Sequence, residues 1–497
     1  MSSVSVIGSG FSGLSAAACL AKDGNDVAVF EKNSTPGGRA RKFEEQGFVF
    51  DMGPSWYWMP EVFENFFNRF GKNSSEYYEL IRLDPSYRIF FSKEDVMDVP
   101  SGLKGLHDLF EKRESGSGVR LTSFLEEGKF KYQVGINKLV HKPGLSITEL
   151  FDAQLFKGIF KLDVFQSLST HVRKNFKDPG LIQLLEFPVL FLGAMPSKTP
   201  ALYSLMNYAD MALGTWYPKG GMYKIIEGMF EVAKDQGVKF HFNSEVKGFE
   251  LDHDSITSII INGVNKPSDY VVASADYHHV EQQLLPRKFR NYSEEYWNQR
   301  VMAPSSLIFY VGINKRVKNL LHHNLFFDQD FGLHAREIYE HPDWPTNPLF
   351  YISCPSKSDP SVAPEGCENL FLLMPVAPGL NDEDEIREKY FNLMIDRLEY
   401  LTGEPIRKSI IYKRSYAHRD FIDDYHAFKG NAYGLANTLS QTANLKPSIV
   451  NKKVKNLFYT GQLTVPGPGV PPSIISGQVV AQELNRQRMK KELIGKF

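Results

Sequence analysis

The beginning of this chain constrains it most. Val4, Ser5, Val6 and Ile7 make a short run suited to a buried strand, and Gly8-Ser9-Gly10-Phe11-Ser12-Gly13 follows at once. Ala16, Ala17, Ala18, Leu20 and Ala21 then give a helix of small side chains, Val27-Ala28-Val29-Phe30 a second strand, and Glu31 stands at its end. Strand, G-x-G-x-x-G, helix, strand and acid in that order form the βαβ unit that grips a dinucleotide. Gly8 is expected to permit the turn, Gly10 to let the main chain approach a pyrophosphate, and Gly13 to let helix and strand pack closely. The first helical turn, with Phe11 and Ser12, leaves free N–H groups and the positive end of a dipole for phosphates. Glu31 is placed to accept hydrogen bonds from a ribose, and its charge disfavours a 2′-phosphate there.

Directly after Glu31-Lys32-Asn33 come Pro36-Gly37-Gly38-Arg39-Ala40 and then Phe50-Asp51-Met52-Gly53-Pro54-Ser55. A second glycine pair with an arginine suits a loop lying against the phosphates of a larger cofactor. This run, E-K-N-x-x-x-G-G-R-A followed by F-D-M-G-P-S, resembles the FAD-binding amine oxidase and carotenoid desaturase superfamily.

A chain of 497 residues has room for two or three domains. Its formal net charge of −1 gives no electrostatic case for nucleic acid. The three cysteines, Cys19, Cys354 and Cys367, are scattered, which suits a reducing compartment. With a strand starting almost at Met1 no signal peptide is expected, and no apolar run reaches the ~18 residues of a spanning helix. With 37 Phe, 23 Tyr and 5 Trp, the chain has the side chains to line a site for a long apolar ligand as well as to fill a core.

Further along, Trp56-Tyr57-Trp58-Met59-Pro60 sets an aromatic cluster beside the second glycine loop, and a helix is expected over 61–70. Alternating apolar residues over 84–99 predict strands outside the nucleotide fold, and 119–140 reads as helical. Over 150–168, Leu150, Phe151, Leu155, Phe156, Ile159, Phe160 and Phe165 fall on helical spacing with Lys157 and Lys161 between them. That pattern fits a helix covering a core, or one lying in a membrane interface with lysines at the headgroups. The proline-punctuated run 187–206, with Pro188, Pro196 and Pro200, is expected to wall a substrate domain. Trp216-Tyr217-Pro218-Lys219-Gly220-Gly221-Met222 leads into a helix over 223–236, followed by a strand pair over 238–250 and 256–261. A short strand at 271–276 ends on Asp276 and suggests a return to the nucleotide domain.

Strands are also expected over 305–312 and 370–376. His278-His279 and His322-His323 are adjacent pairs without further ligands at metal spacing, so no metal site is expected. The acidic runs at 382–385 and 420–424 read as solvated faces. Near the end, Leu457-Phe458-Tyr459-Thr460 predicts a strand running into Gly461-Gln462. The loop Val465-Pro466-Gly467-Pro468-Gly469-Val470 then opens a helix over 474–483, with Pro471 and Pro472 at its start. If that N-terminus faces a flavin, its dipole stabilises negative charge on the reduced ring. No P-loop, H-E-x-x-H or G-x-S-x-G competes.

Over most of its length the chain is similar to bacterial carotenoid desaturases of the phytoene desaturase type, through 4–60, 216–276, 305–323, 355–378 and 416–483. Pro355-Ser356 with Asp359-Pro360-Ser361-Val362-Ala363-Pro364-Glu365-Gly366-Cys367 and the stretch 461–473 are the most telling. Two departures stand out: Gly461-Gln462 where many amine-oxidase relatives carry Gly-Asp, and Pro466-Gly467-Pro468-Gly469 where many have His-Pro-Gly-Gly or similar. The resemblance implies an α/β chain: a Rossmann-like FAD-binding domain (1–80, 217–300 and 425–497) and an inserted mixed-sheet substrate domain (81–216 and 301–424) whose helical part could face a membrane. It implies FAD held by Gly8, Gly10, Phe11, Ser12, Gly13, Glu31, Lys32, Gly38, Arg39, Gly53, Pro54, Ser55, Val246, Gly461, Gln462, Val470 and Pro471. It implies desaturation of an acyclic C40 polyene, phytoene towards lycopene, with hydride passing to the flavin and no side chain declared as the base. A hydroxylated acyclic carotenoid desaturated at C3–C4, carotene isomerisation, and a non-catalytic isoprenoid-binding protein stay open. The expected location is the cytoplasm, with peripheral contact to the inner face of the cell membrane.

Overall fold

The computed structural model describes residues 1–146, 149, 166–190 and 193–494. Most of the apolar segment expected over 150–168 lies outside them, as do Lys157 and Lys161.

At the centre of a five-stranded parallel sheet is Ser3–Ile7, flanked by Tyr270–Ala273 and Asp26–Phe30. Leu457–Tyr459 and Lys239–His241 form its two edges. Both faces of the central strand are covered, so Val4, Val6 and Ile7 are all buried. Helix Phe11–Lys22 lies against this sheet and against the last helix, Val470–Ile494. The small side chains explain how near the two helices come. A Cβ placed on Gly477 would stand 2.3 Å from the Ser12 carbonyl oxygen and 2.8 Å from the Ala16 nitrogen. The last helix starts earlier and runs further than expected over 474–483, with Pro471 and Pro472 inside its first turn, where their missing N–H groups are no loss.

The second layer system is a seven-stranded sheet in the order Ile410–Tyr416, Ser305–Ile313, Glu368–Val376, Phe350–Ser353, His323–Phe326, Tyr87–Phe90 and Val96–Val99. Its pairings are antiparallel except that of His323–Phe326 with Tyr87–Phe90. Strand Ser305–Ile313 shows how the sheet is buried on both sides. Leu307, Phe309 and Val311 join a cluster with Met394 and Leu398 of helix Asp384–Thr402. Ile308 and Tyr310 point the other way, into a cluster with Tyr351, Phe371 and Leu373.

The run expected as one strand over 238–250 is two strands in different sheets. Lys239–His241 closes the parallel sheet, whereas Val246–Asp252 pairs with Ser255–Ile261 in a separate three-stranded meander. The redirection occurs at Asn243, which sits at φ 51°. The apolar spacing continues through this left-handed turn, so pattern alone does not show it.

Two carboxylates tie the sheets together around the Gly220-Gly221 turn. Asp51 accepts hydrogen bonds from the Met222 nitrogen (2.7 Å) and the Tyr223 nitrogen (2.9 Å), capping helix Tyr223–Asp235 from outside it. Asp359 accepts from the Gly220 nitrogen at 2.6 Å and from the Tyr217 hydroxyl at 3.3 Å. Gly221, at φ 102°, has no room for a side chain, because its Cβ would stand 2.8 Å from an Asp51 oxygen. Among the described residues, no helix is long and apolar enough to cross a membrane.

Candidate active site

A cavity opens at the carboxyl ends of the parallel strands, where ligands bind in sheets of this kind. Gly8, Glu31, Ser274 and Thr460, each the residue that follows a strand of the sheet, lie on its wall. It encloses about 2420 Å³ of empty space, open solvent at its mouth included. Its wall runs from the 8–13 loop to Trp56, Trp58, Pro188 and Met206, so glycine loops and apolar side chains face one space.

The cradle is built as the glycine spacing requires. Gly8 turns at φ 94°, a conformation open to glycine at little cost. Gly13 does not reach the cavity; its Cβ would stand 2.1 Å from the Gly8 carbonyl oxygen, so its role is the packing of helix on turn. A Cβ on Gly10 would meet no protein atom within 4 Å, and that open space faces the cavity. Gly10 caps helix Phe11–Lys22 without a side-chain hydrogen bond and no acid sits in the first turn, so the helix presents its N–H groups to the cavity beside Phe11 and Ser12.

Glu31 is buried at the edge of the cavity. One of its carboxylate oxygens accepts from the Ser9 nitrogen (2.9 Å) and hydroxyl (2.7 Å), the other from the Asn33 nitrogen (2.9 Å) and amide (3.1 Å). Its about four acceptor positions are thus filled by the loop it holds, and a ribose hydroxyl that reaches it replaces one of those donors. The acid therefore has a second task that spacing did not reveal: it fixes the phosphate loop.

Gly38, Gly53, Pro54, Ser55, Val246, Gly461, Gln462, Val470 and Pro471 also lie on the wall. Lys32 does too, and its ammonium donates to the Asp423 carbonyl at 2.5 Å. Arg39 is a second cation on the wall. Burial lowers its pKa while nearby Asp276 raises it; one terminal nitrogen donates to the Asn431 carbonyl at 3.2 Å, and its Nε has no partner. Gln462 donates to the Asn431 side chain at 3.1 Å, as does the Gly434 nitrogen at 2.9 Å. Asn431 thus joins Arg39 to the 461–462 turn, a role no sequence signal announced. An uncapped helix end, open space at Gly10 and an unpartnered guanidinium nitrogen fit the pyrophosphate of FAD.

From this cradle the cavity continues between Trp56, Trp58, Met59, Pro188, Met206 and Leu373. The charged groups on the wall form a chain of contacts elsewhere. Lys32 approaches His426, which pairs with Glu245 and stacks on His279; Asp276 lies near Arg39, and Arg39 over Tyr425. Burial presses the His279 imidazole down to about 3. Within the apolar arm, Trp56 stacks on His323 with ring centres 4.2 Å apart and an angle of 11°. His323 Nδ1 lies 2.6 Å from the Tyr351 hydroxyl, and Tyr351 is on the cavity wall. Burial drives the Tyr351 hydroxyl well up, against the Ser353 and Ser55 hydroxyls that stabilise its anion. The aromatic cluster after Pro54 is therefore cavity lining in part: Trp56 and Trp58 face the arm, while Tyr57 turns into the core against Phe63.

A dinucleotide cradle opening into an apolar arm fits an oxidoreductase that brings a dinucleotide cofactor against an apolar substrate. The sequence profile of the family described as "flavin containing amine oxidoreductase" matches residues 11–485, and the chain belongs to that family. It is 40% identical over 482 residues to a carotenoid 3,4-desaturase of Haloarcula japonica, covering 97% of each chain. It is 32% identical over 488 residues to a ζ-carotene-forming phytoene desaturase of Myxococcus xanthus, covering 96% of this chain and 93% of that one. A solved oxidoreductase from Methanosarcina mazei superposes with a TM-score of 0.63 at 16% identity, over 97% of this chain and 100% of that one, and shares the fold. The protein is an FAD-dependent carotenoid desaturase.

Proposed function

We propose that the protein desaturates an acyclic C40 carotenoid hydrocarbon, phytoene towards lycopene. The observation that carries this is the arm itself, whose apolar residues share one cavity with the cradle. A hydrocarbon makes no demand for a polar partner there, and the Myxococcus relative acts on phytoene by name. In this reading the 8–13 loop, Gly38 and Arg39 hold the pyrophosphate. Glu31 holds a ribose next to Val246, which the hydrogen bond from the Ser244 nitrogen to the Glu31 carbonyl (2.8 Å) keeps close by. Gly53, Pro54, Ser55, Gly461, Gln462, Val470 and Pro471 would surround the ring.

Bound FAD supplies an acceptor for a hydride from one allylic carbon. The protein's own part is to lay the chain along Trp56, Trp58 and Met206, keep the reacting carbons dry and hold them in one orientation. Such a substrate resides in a bilayer, so peripheral contact with the inner face of the cell membrane belongs to the proposal, and flotation with lipid vesicles tests it.

A second reading is desaturation at C3–C4 of a hydroxylated acyclic carotenoid, and the Haloarcula relative, named a carotenoid 3,4-desaturase, favours the C3–C4 position. Anaerobic mixing of FAD-loaded protein with phytoene in liposomes separates the two. Flavin bleaching with new visible polyene bands is expected. Bleaching only with a hydroxylated acyclic carotenoid would move the assignment to the later step.

A further inference from the structure

We propose that Tyr351 and His323 form the proton acceptor of the desaturation, Tyr351 facing the substrate and His323 standing behind it. This rests on the carotenoid desaturase reading of the same cavity and adds the group that the sequence did not declare.

Removing two hydrogens from neighbouring carbons needs two acceptors. One C–H bond breaks with both electrons leaving as hydride, and the flavin is reduced by two electrons. The cation left behind is spread along the polyene. On the adjacent carbon the second C–H bond then breaks, its electron pair becomes the new π bond, and a proton must leave. The charged groups on the wall are held by partners: Lys32 approaches His426, which pairs with Glu245 and stacks on His279, Asp276 lies near Arg39, and Asp424 accepts from Arg41. Asp210 is buried behind Tyr87 and Thr215 and is not on the wall.

Two tyrosines do line the arm, and what stands behind them differs. Tyr433 meets the Ser306 hydroxyl, which cannot keep a proton. Tyr351 is 2.6 Å from an imidazole nitrogen. With the Tyr351 hydroxyl donating to His323 Nδ1, the ring carries its own hydrogen on Nε2, and that buried nitrogen has no partner. An unpartnered buried N–H costs ~1–3 kcal/mol, and such groups call for an explanation beyond packing.

In the proposed step the substrate's proton passes to the Tyr351 oxygen while the tyrosine's own proton moves to His323 Nδ1. The net result is a neutral tyrosine and an imidazolium. Burial holds His323 a weak base, but a C–H bond next to an allylic cation is a very strong acid and needs no more. The imidazolium so formed lies flat on the Trp56 ring, where the π face stabilises it.

The test compares Tyr351→Phe and His323→Gln with the parent protein. Carotenoid binding is read on flavin-free protein by quenching of tryptophan fluorescence, and flavin retention by absorbance. The rate of anaerobic flavin bleaching is then measured with whichever of phytoene or a hydroxylated acyclic carotenoid bleaches the parent protein. Tyr351→Phe and His323→Gln should bind carotenoid and FAD as the parent does and bleach ~10²-fold slower or more. His323→Gln is informative because glutamine still accepts the tyrosine's hydrogen bond but cannot keep its proton. Parent-like bleaching in either test variant overturns the proposal, and so does loss of carotenoid or FAD binding in step with the rate. Failure of the parent protein with both carotenoids would instead overturn the reading on which this one rests.

Discussion

Alanine at Gly10 should separate cofactor binding from folding, and alanine at Gly13 should not. Gly10 has φ −72°, which any residue adopts, and a Cβ there meets no protein atom within 4 Å. The flavin-free Gly10→Ala protein should therefore melt as the parent does. Its new methyl group, however, enters the space beside the helix N–H groups and holds a phosphate away from them. Losing one hydrogen bond to a charged group costs ~1.5–3 kcal/mol, or a ~10–150-fold rise in the Kd for FAD. Gly13→Ala places a methyl group 2.1 Å from the Gly8 oxygen, and the helix cannot retreat because Gly477 already packs on the Ser12 carbonyl. Overpacking of this kind costs ~1–3 kcal/mol, which more than offsets the ~1 kcal/mol that alanine gains over glycine within a helix. Titration by flavin fluorescence and thermal unfolding of flavin-free protein measure the two effects separately. Parent-like FAD affinity in Gly10→Ala, or a parent-like melting point in flavin-free Gly13→Ala, would refute the placement of the pyrophosphate or of the helix contact.

Two further outcomes are expected. Burial pushes Asp210 up to about 7, although the Tyr87 and Thr215 hydroxyls donate to it. A carboxyl whose folded pKa is raised binds protons better in the folded state, so its contribution is present below about pH 4 and is lost as pH rises towards about 7. Asp210→Asn removes that titration, and its stability relative to the parent should improve steadily across that window in pH-resolved denaturation; a constant difference would show that Asp210 does not titrate there. Met206→Trp should block the apolar arm: absorbance should show full flavin content, while quenching by carotenoid is lost. Unchanged quenching would mean that the substrate does not pass Met206.

How much of the site was legible in the sequence depended on how local its signals are. Gly8, Gly10 and Glu31 are spaced within one βαβ unit, and the turn, the close approach and the acid at the strand end are properties of the backbone over a few residues. The uncharged arm was visible only as an excess of aromatic residues. Which of them face the cavity depends on strand and loop geometry: Trp56 and Trp58 do, and Tyr57 between them does not. The strand over 238–250 was misread because its apolar spacing runs on through the turn at Asn243.

By itself, then, the sequence determined the nucleotide fold, through short motifs whose chemistry is fixed by spacing, and its resemblance to carotenoid desaturases implied the flavin and the kind of substrate. The tertiary structure decided what distant segments do to one another. It brought Asn431 between Arg39 and Gln462, set Asp51 and Asp359 on the two sides of the Gly220-Gly221 turn, and placed His323 behind Tyr351. Those contacts join residues far apart in the chain, and only the packing of the sheets fixes which side chains meet.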